Sequence, residues 1–362
     1  MKNMIKIKKD AFITGLDIGS SKVSAVMSQV DGSGLFKIMS HATVPSKGVS
    51  RGSFFDLNES VDAVSKALSA LKARTGIRPS NLYVNITGES VRASRSKGMI
   101  PLALHGREVT KKDIERCIDV ASTVHLPFDR EIIHKIVRNF AIDDQPWIKN
   151  PIGLYASRLS SEAYIITAGI NHIQNIYKCV NNSGYDVKEV VFTGIADGAA
   201  LLTGEEKEEG VMLLDLGCTT TTLAFFSGGS ITDMDIILVG SQDIKGVFKD
   251  NENFKSLGER VASKINDLAK SGCGIKSVVI TGGMAFEDGI VEALEESVKH
   301  RVRMGMVKGF EGDVSGLDKL RLATAIGLCR YAYEKYDRQV REERDVIKRF
   351  TTKVVDLFNS YF

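Results

Sequence analysis

The stretch Ile13-Thr-Gly-Leu-Asp17-Ile-Gly19-Ser20-Ser21-Lys22 runs into the apolar residues Val23 to Met27. The same pattern returns far along the chain, where Val211-Met-Leu-Leu-Asp215-Leu-Gly217-Cys218-Thr219-Thr220 runs into Thr222 to Phe226. Each reads as an apolar strand, a tight turn holding an Asp, a Gly and hydroxyl residues, and a second strand. Such a turn lets backbone N–H groups and hydroxyls converge on phosphate oxygens, while its carboxylate holds a divalent cation through water. Either segment alone is equally an ordinary hairpin closed by Gly and Ser. Their repetition selects the phosphate reading.

A third element extends it. Val278-Val279-Ile280-Thr281-Gly282-Gly283-Met284-Ala285 is a buried-type strand entering a paired-glycine turn, with Ile290, Leu294 and Val298 at helical spacing behind it. Paired glycines let backbone lie against a base or ribose. Two phosphate turns followed by an adenosine turn give an α/β chain of the actin-like ATPase fold, two ribonuclease-H-like domains around ATP and Mg2+. In that reading Asp17 and Asp215 position the metal through water. Gly19, Ser20, Ser21, Lys22, Gly217 and Thr220 surround the phosphates, and Gly282, Gly283 and Met284 face the adenosine. A turn-capping role for Asp17, a solvated Lys22 and core packing of Met284 remain the alternatives.

Composition fits that fold. A chain of 362 residues is long enough for two or more domains with real cores, and 43% hydrophobic residues with a mean hydropathy of -0.04 is an ordinary soluble balance. The net charge of +3, without a basic stripe interleaved with aromatics, argues against nucleic acid as a partner. Five scattered cysteines, Cys117, Cys179, Cys218, Cys273 and Cys329, lack metal-ligand spacing and fit a reducing cytoplasm. Met1 to Asp10 is Lys-rich but lacks the apolar core of a signal peptide, and no run of about 18 apolar residues is present to span a bilayer.

Strand and helix signals alternate along the chain. Residues 36–41 continue the first sheet, and 60–75 form an amphipathic helix on Val61, Val64, Leu68 and Leu71. From Leu82 the texture shifts. Residues 82–86 read as a strand, 110–124 as a helix opened by Thr110 with Asp113 in a near capping box, and 132–141 as a strand with His134 as one of its ordinary members. This unit, ending near Tyr164, looks like a small α/β insert. Residues 163–170 then resume the main sheet, and a helix over 172–183 closes on Gly184.

At this point the chain resembles FtsA, the actin-like bacterial cell-division family, from about Ala11 to Ala325 and again at its end. The residues that carry the resemblance are Gly15-Leu-Asp-Ile-Gly-Ser-Ser-Lys-Val23, Ile148-Lys-Asn-Pro-Ile-Gly-Leu-Tyr-Ala-Ser-Arg-Leu159, Phe192-Thr-Gly-Ile-Ala196 and the terminal stripe. Phosphate turns are shared with sugar kinases, chaperones and actins, whereas the Lys149-Asn-Pro-Ile-Gly153 region marks the end of the inserted, SHS2-like IC domain. The resemblance implies a scaffold, at most a weak ATPase, that polymerises on the cytoplasmic face of the inner membrane. It also implies that the protein tethers FtsZ there and recruits downstream division proteins. The organisation it suggests is domain IA over 1–83 and 164–195, the IC insert over 84–163, domain IIA over 196–330, a charged linker over 331–345 and a membrane-targeting helix over 346–362.

The tail supports the membrane role by itself. Val346, Ile347, Phe350, Val354, Leu357, Phe358 and Tyr361 recur at helical spacing, with Lys348, Arg349, Lys353 and Asp356 off the stripe. An apolar stripe of Phe, Leu and Val opposite a cationic face is the composition of a helix lying in the membrane interface, although a helix docked on protein has the same pattern.

Three departures from the family pattern bear on chemistry. Cys218 and Thr219 stand where the family usually has glycines, which weakens nucleotide binding if positive φ or close approach is needed there. Thr222 stands where an acidic residue is usual. The stretch Gln242 to Lys255 replaces subdomain IIB, which carries a Glu-x-x-Lys nucleoside contact and much of the FtsZ surface; Glu259 and Lys264 lack that spacing. FtsZ binding is therefore the open partner assignment. The competing readings are a sugar or acetate kinase of the same fold, which needs a base beside an acceptor hydroxyl, and an actin-like adaptor of pilus or secretion assembly.

Overall fold

A computed structural model describes residues 12–30, 36–143, 145–244, 246, 248–312, 314 and 316–337. The terminal stripe, from Val346 to Tyr361, lies outside the described residues.

Strands β1 (Phe12–Ile18), β2 (Lys22–Val30) and β3 (Phe36–Pro45) form an antiparallel meander. Helix α1 (Leu57–Thr75) follows. It begins three residues before the sequence expectation because Asp56 caps it, accepting the amides of Asn58 and Glu59, and it stops where Gly76 turns left-handed at φ 68°. Its Val64, Leu68 and Leu71 are fully buried against the sheet, each contributing about 1.5–3 kcal/mol. Strand β4 (Leu82–Ile86) then pairs parallel to β1 in the main sheet.

The chain leaves that sheet for a separate layer. It contains β5 (Arg92–Pro101), α2 (Lys111–Ser122), β6 (Arg130–Ile142), β7 (Gln145–Ile148) and β8 (Arg158–Gly169). The strands form one sheet in the order β7-β6-β8-β5. The capping box at the start of α2 is complete: Thr110 accepts the Asp113 amide and Asp113 accepts the Thr110 amide. Arg107 grips the same carboxylate with two bonds of 2.7 Å, holding it well below the usual carboxylate range. Gly98 allows α2 to lie on β5, since a Cβ there would stand 2.2 Å from the Ala121 nitrogen.

Two expectations fail here. Residues 163–170 do not resume the main sheet: β8 pairs with β5 and β6 along its length, and only α3 (Ile170–Asn182) carries the chain back. The boundaries at 83/84 and 163/164 each cut through one strand, so β4 belongs to the first sheet and β8 to the inserted one. A long antiparallel strand and a main-sheet strand have the same local apolar pattern, so periodicity does not reveal which sheet a strand joins.

Strand β9 (Val187–Phe192) completes the first sheet, whose order is β9-β4-β1-β2-β3. Helix α4 (Thr193–Leu201) crosses to a second lobe, where β10 (Val211–Leu216), β11 (Thr221–Ser227) and β12 (Ser230–Ile237) repeat the meander. Helix α5 (Glu252–Lys270), strand β13 (Ser277–Thr281), helix α6 (Ile290–Val298) and strand β14 (Val302–Met304) follow. The second sheet runs β12-β11-β10-β13-β14, strand for strand the same plan as the first. Between β12 and α5 the described residues hold turns and a short 3-10 helix, Phe248–Asp250, in place of a subdomain. Lys264, on α5, pairs with Asp233 at 3.0 Å and is not among the residues lining the cleft.

Residues 323–337 form a helix that returns to the first lobe. It passes backbone-close to both lobes. A Cβ on Gly15 would lie 2.0 Å from the Ala325 carbonyl oxygen, and one on Gly327 would lie 1.9 Å from that of Ala196. The two crossing helices and β1 thereby meet at the base of the cleft between the lobes.

Candidate nucleotide site

The cleft is built from the paired hairpins. Ile18 stands opposite Val23, and Gly19 donates to the Lys22 carbonyl at 3.0 Å, leaving Ser20 and Ser21 as a two-residue loop. In the second lobe Leu216 stands opposite Thr221, and Gly217 donates to the Thr220 carbonyl at 3.0 Å around Cys218 and Thr219. Among the described residues the loop amides of Ser20, Ser21, Cys218 and Thr219 have no acceptor within the protein. Free N–H groups clustered in this way make an anion cradle.

The loops face each other across a narrow cavity of about 130 Å³, lined by Asp17, Gly19, Ser20, Ser21, Lys22, Asp215, Gly217, Thr220, Gly282 and Gly283 among others. Gly282 holds φ 90°, and a Cβ there would meet Asp215 Oδ1 at 2.5 Å and the Leu216 oxygen at 2.4 Å. Its turn therefore needs glycine twice over, for conformation and for contact.

Two carboxylates converge on the floor. Asp17 and Asp215 are half-buried and both line the cavity. Burial raises the Asp17 pKa to about 6, opposed by Lys22. Burial and then the neighbouring Asp17 raise Asp215 as well, again opposed by Lys22. Lys22 lines the cleft and donates to the Arg321 carbonyl, and the Arg321 guanidinium lies 5.1 Å from the centre of the Phe286 ring.

The inserted layer carries the most specific likeness to known proteins. A family model described as the SHS2 domain inserted in FTSA matches residues 88–167, spanning the whole of β5 and most of β8. The chain is 28% identical to the cell division protein FtsA of Pseudomonas aeruginosa, over 92% of each chain. It is 29% identical to that of Borreliella burgdorferi over 94% of each, and 26% identical to that of Escherichia coli over 97% of this chain and 96% of the relative. The chain is thus similar to FtsA proteins along nearly its whole length.

Solved structures agree on the fold. The PilM–PilN type IV pilus biogenesis complex gives a TM-score of 0.64 at 11% identity, covering 88% of this chain and 97% of that one. The ethanolamine utilization protein EutJ from Carboxydothermus hydrogenoformans gives 0.51 at 13% identity, covering 91% and 93%.

Within this cleft, one sequence assignment is corrected. Met284 is 1% exposed and packs with Leu216, Ile280 and Leu294 in the core of the second lobe; Phe286, two residues on, lines the cleft instead. The 3-10 turn Gly283–Phe286 sends its second residue inward, which strand counting does not anticipate.

The expected strain at Cys218 and Thr219 is also absent. Neither residue has positive φ. The glycine that permits close approach is Gly240, whose Cβ would stand 2.4 Å from the Cys218 carbonyl.

Sequence reasoning missed Asn85, Asp197 and Thr324. Asn85, 5% exposed, is polar in the otherwise apolar strand Leu-Tyr-Val-Asn-Ile, a signal that was legible. Asp197 is fully buried on α4. It accepts the Thr324 hydroxyl at 2.8 Å, and its other oxygen has no protein partner. Burial, then the nearby Asp215, pushes its pKa well above the ordinary carboxylate value.

Proposed function

We propose that this chain is an ATP-binding, actin-like scaffold of bacterial cell division that assembles at the cytoplasmic face of the inner membrane and attaches there through residues 346–362. The observation that carries the reading is the inserted sheet of residues 92–169, matched by the FtsA-specific model, on a chain aligned to FtsA proteins along nearly its whole length. The paired cradles and the Gly282–Gly283 turn fit a nucleotide's phosphates and nucleoside.

The donor set also fits a hard divalent cation. Asp17 and Asp215 are oxygen donors whose pKa values are raised by burial and, for Asp215, by the neighbouring Asp17 as well. Among the described residues no group of three or more His, Cys, Asp or Glu is placed to hold a metal alone. Mg2+ is therefore expected to be shared between these two carboxylates, water and the nucleotide's own oxygens, where it would neutralise phosphate charge.

No helix among the described residues is long and apolar enough to cross a membrane. Full burial of a Val, Leu or Phe side chain contributes about 1.5–3 kcal/mol, but a helix in the interface is only partly buried and ordering it opposes binding. One tail binds reversibly, and a polymer carrying many tails binds firmly by avidity.

Liposome co-sedimentation tests the whole reading, with and without ATP, with FtsZ in a parallel series, comparing the full chain with one ending at Asp345. Tail-dependent pelleting that carries FtsZ down is the expected result. Pelleting without FtsZ removes that partner from the proposal, and no tail-dependent pelleting overturns the membrane role.

A further inference from the structure

The Thr219 hydroxyl joins parts of the molecule that are remote in sequence. It lies 2.8 Å from Ser20 Oγ in the opposite loop and accepts the Arg51 amide at 2.9 Å. Thr219 is only 3% exposed although it lines the cleft. Arg51 reaches it from φ 50°, left-handed backbone that a residue with a Cβ resists. Surrounding structure enforces that conformation. The 49–54 hairpin is pressed onto Thr87 and Gly88, where a Cβ on Gly52 would stand 2.3 Å from the Thr87 oxygen. Beside it, the Thr87 and Thr222 hydroxyls meet at 2.8 Å, a further direct bond between the lobes. A non-glycine residue held in left-handed backbone to aim one N–H at one hydroxyl marks a contact that the fold is arranged to make.

We propose that Thr219 sets which nucleotide the cleft prefers, favouring a nucleoside diphosphate over a triphosphate. The proposal rests on the nucleotide reading given above. A phosphate seated between the two loops draws hydrogen bonds from both, and each hydroxyl carries one proton. When Ser20 and Thr219 both donate to that phosphate, neither donates to the other. The width of the phosphate also parts the loops, carrying Thr219 away from the Arg51 amide. A diphosphate whose last phosphate rests on the Ser20 and Ser21 amides leaves both bonds in place. The third phosphate breaks two protein bonds at the Thr219 hydroxyl and gains one from it, a net loss of one bond, so the bridge imposes a discrimination of about threefold to tenfold against the third phosphate. Glycine at this position has no hydroxyl with which to impose it.

The test uses the full chain with Mg2+, titrated calorimetrically with ADP and with a non-hydrolysable ATP analogue, in wild type, Thr219→Val and Thr219→Ser. Thr219→Val keeps the side-chain shape and removes the hydroxyl; it is expected to raise analogue affinity about threefold to tenfold relative to ADP, while Thr219→Ser matches wild type. An unchanged ratio, or an analogue affinity that falls in Thr219→Val, overturns the proposal and leaves the nucleotide reading standing. No binding of either nucleotide to any of the three proteins overturns both. Hydrogen exchange of the 49–54 peptide gives a readout without nucleotide. It should exchange faster in Thr219→Val than in Thr219→Ser, and equal protection would overturn the bridge itself.

Discussion

Asn85 clamps Asp17 from both ends of its amide, donating from Nδ2 to Asp17 Oδ1 at 2.8 Å while its own Oδ1 accepts the Ile18 amide at 2.8 Å. The carboxylate at the first phosphate loop is therefore aimed by a residue on a neighbouring strand. Asn85→Ala leaves a buried N–H and a carboxylate oxygen unpaired. It should lower stability by about 1–3 kcal/mol and weaken Mg2+–ATP about tenfold. Urea unfolding and calorimetry measure the two effects, and an affinity equal to wild type would remove Asn85 from the site.

The raised pKa of Asp17 has a definite sign. The native carboxyl releases its proton near pH 6, against 3.8 in the unfolded chain. The native state thus binds more protons between those values, so the Asp17 contribution makes stability fall as pH rises from about 4 to 6, and the penalty is complete above that range. Asp17→Asn should accordingly gain about 1–2 kcal/mol at pH 7.5, the full shift being discounted because the residue is half-buried, and much less at pH 5. Mg2+–nucleotide affinity runs the other way, weakening as pH drops below about 6 because the cation needs the ionised form. A flat affinity profile from pH 5 to 7.5 would contradict this assignment.

Asp197 separates shape from charge. Burial and the neighbouring Asp215 oppose its charged form, so it should tolerate Asn, which preserves size and the acceptor for Thr324. Asp197→Asn should alter stability by less than about 1 kcal/mol. Asp197→Ala strands the Thr324 hydroxyl beside a new cavity and should cost about 2–3 kcal/mol. Equal losses in the two variants, read from denaturant midpoints, would show that the ionised form is required.

Gly282→Ala places a methyl group against Asp215 and Leu216 in left-handed backbone. The expected outcome is a loss of about 2 kcal/mol or more in stability and of measurable nucleotide binding. Gly283→Ala meets nothing within 4 Å and should unfold at the wild-type denaturant concentration.

Much of this was written locally. Short continuous apolar runs placed β1, β4, β10 and β13, Thr110 and Asp113 marked the start of α2, and Gly184 marked the exit from α3. These signals are legible because period, cap and left-handed turn depend on residues within one turn or strand of each other. The repeated Asp–Gly–hydroxyl turns were legible for the same reason, and they located most of the cleft's walls.

What only the tertiary structure decided are the contacts between distant segments. It put β8 in the inserted sheet, turned Met284 into the core, set Asn85 on Asp17, and brought the Ser20 and Thr219 hydroxyls together across 199 residues of chain. Local sequence specifies which faces are apolar and which groups remain free to bond. Which sheet a strand joins, and which hydroxyl meets which, follow from how the lobes dock around the two crossing helices, where Gly15 and Gly327 allow backbone contact that no periodicity encodes.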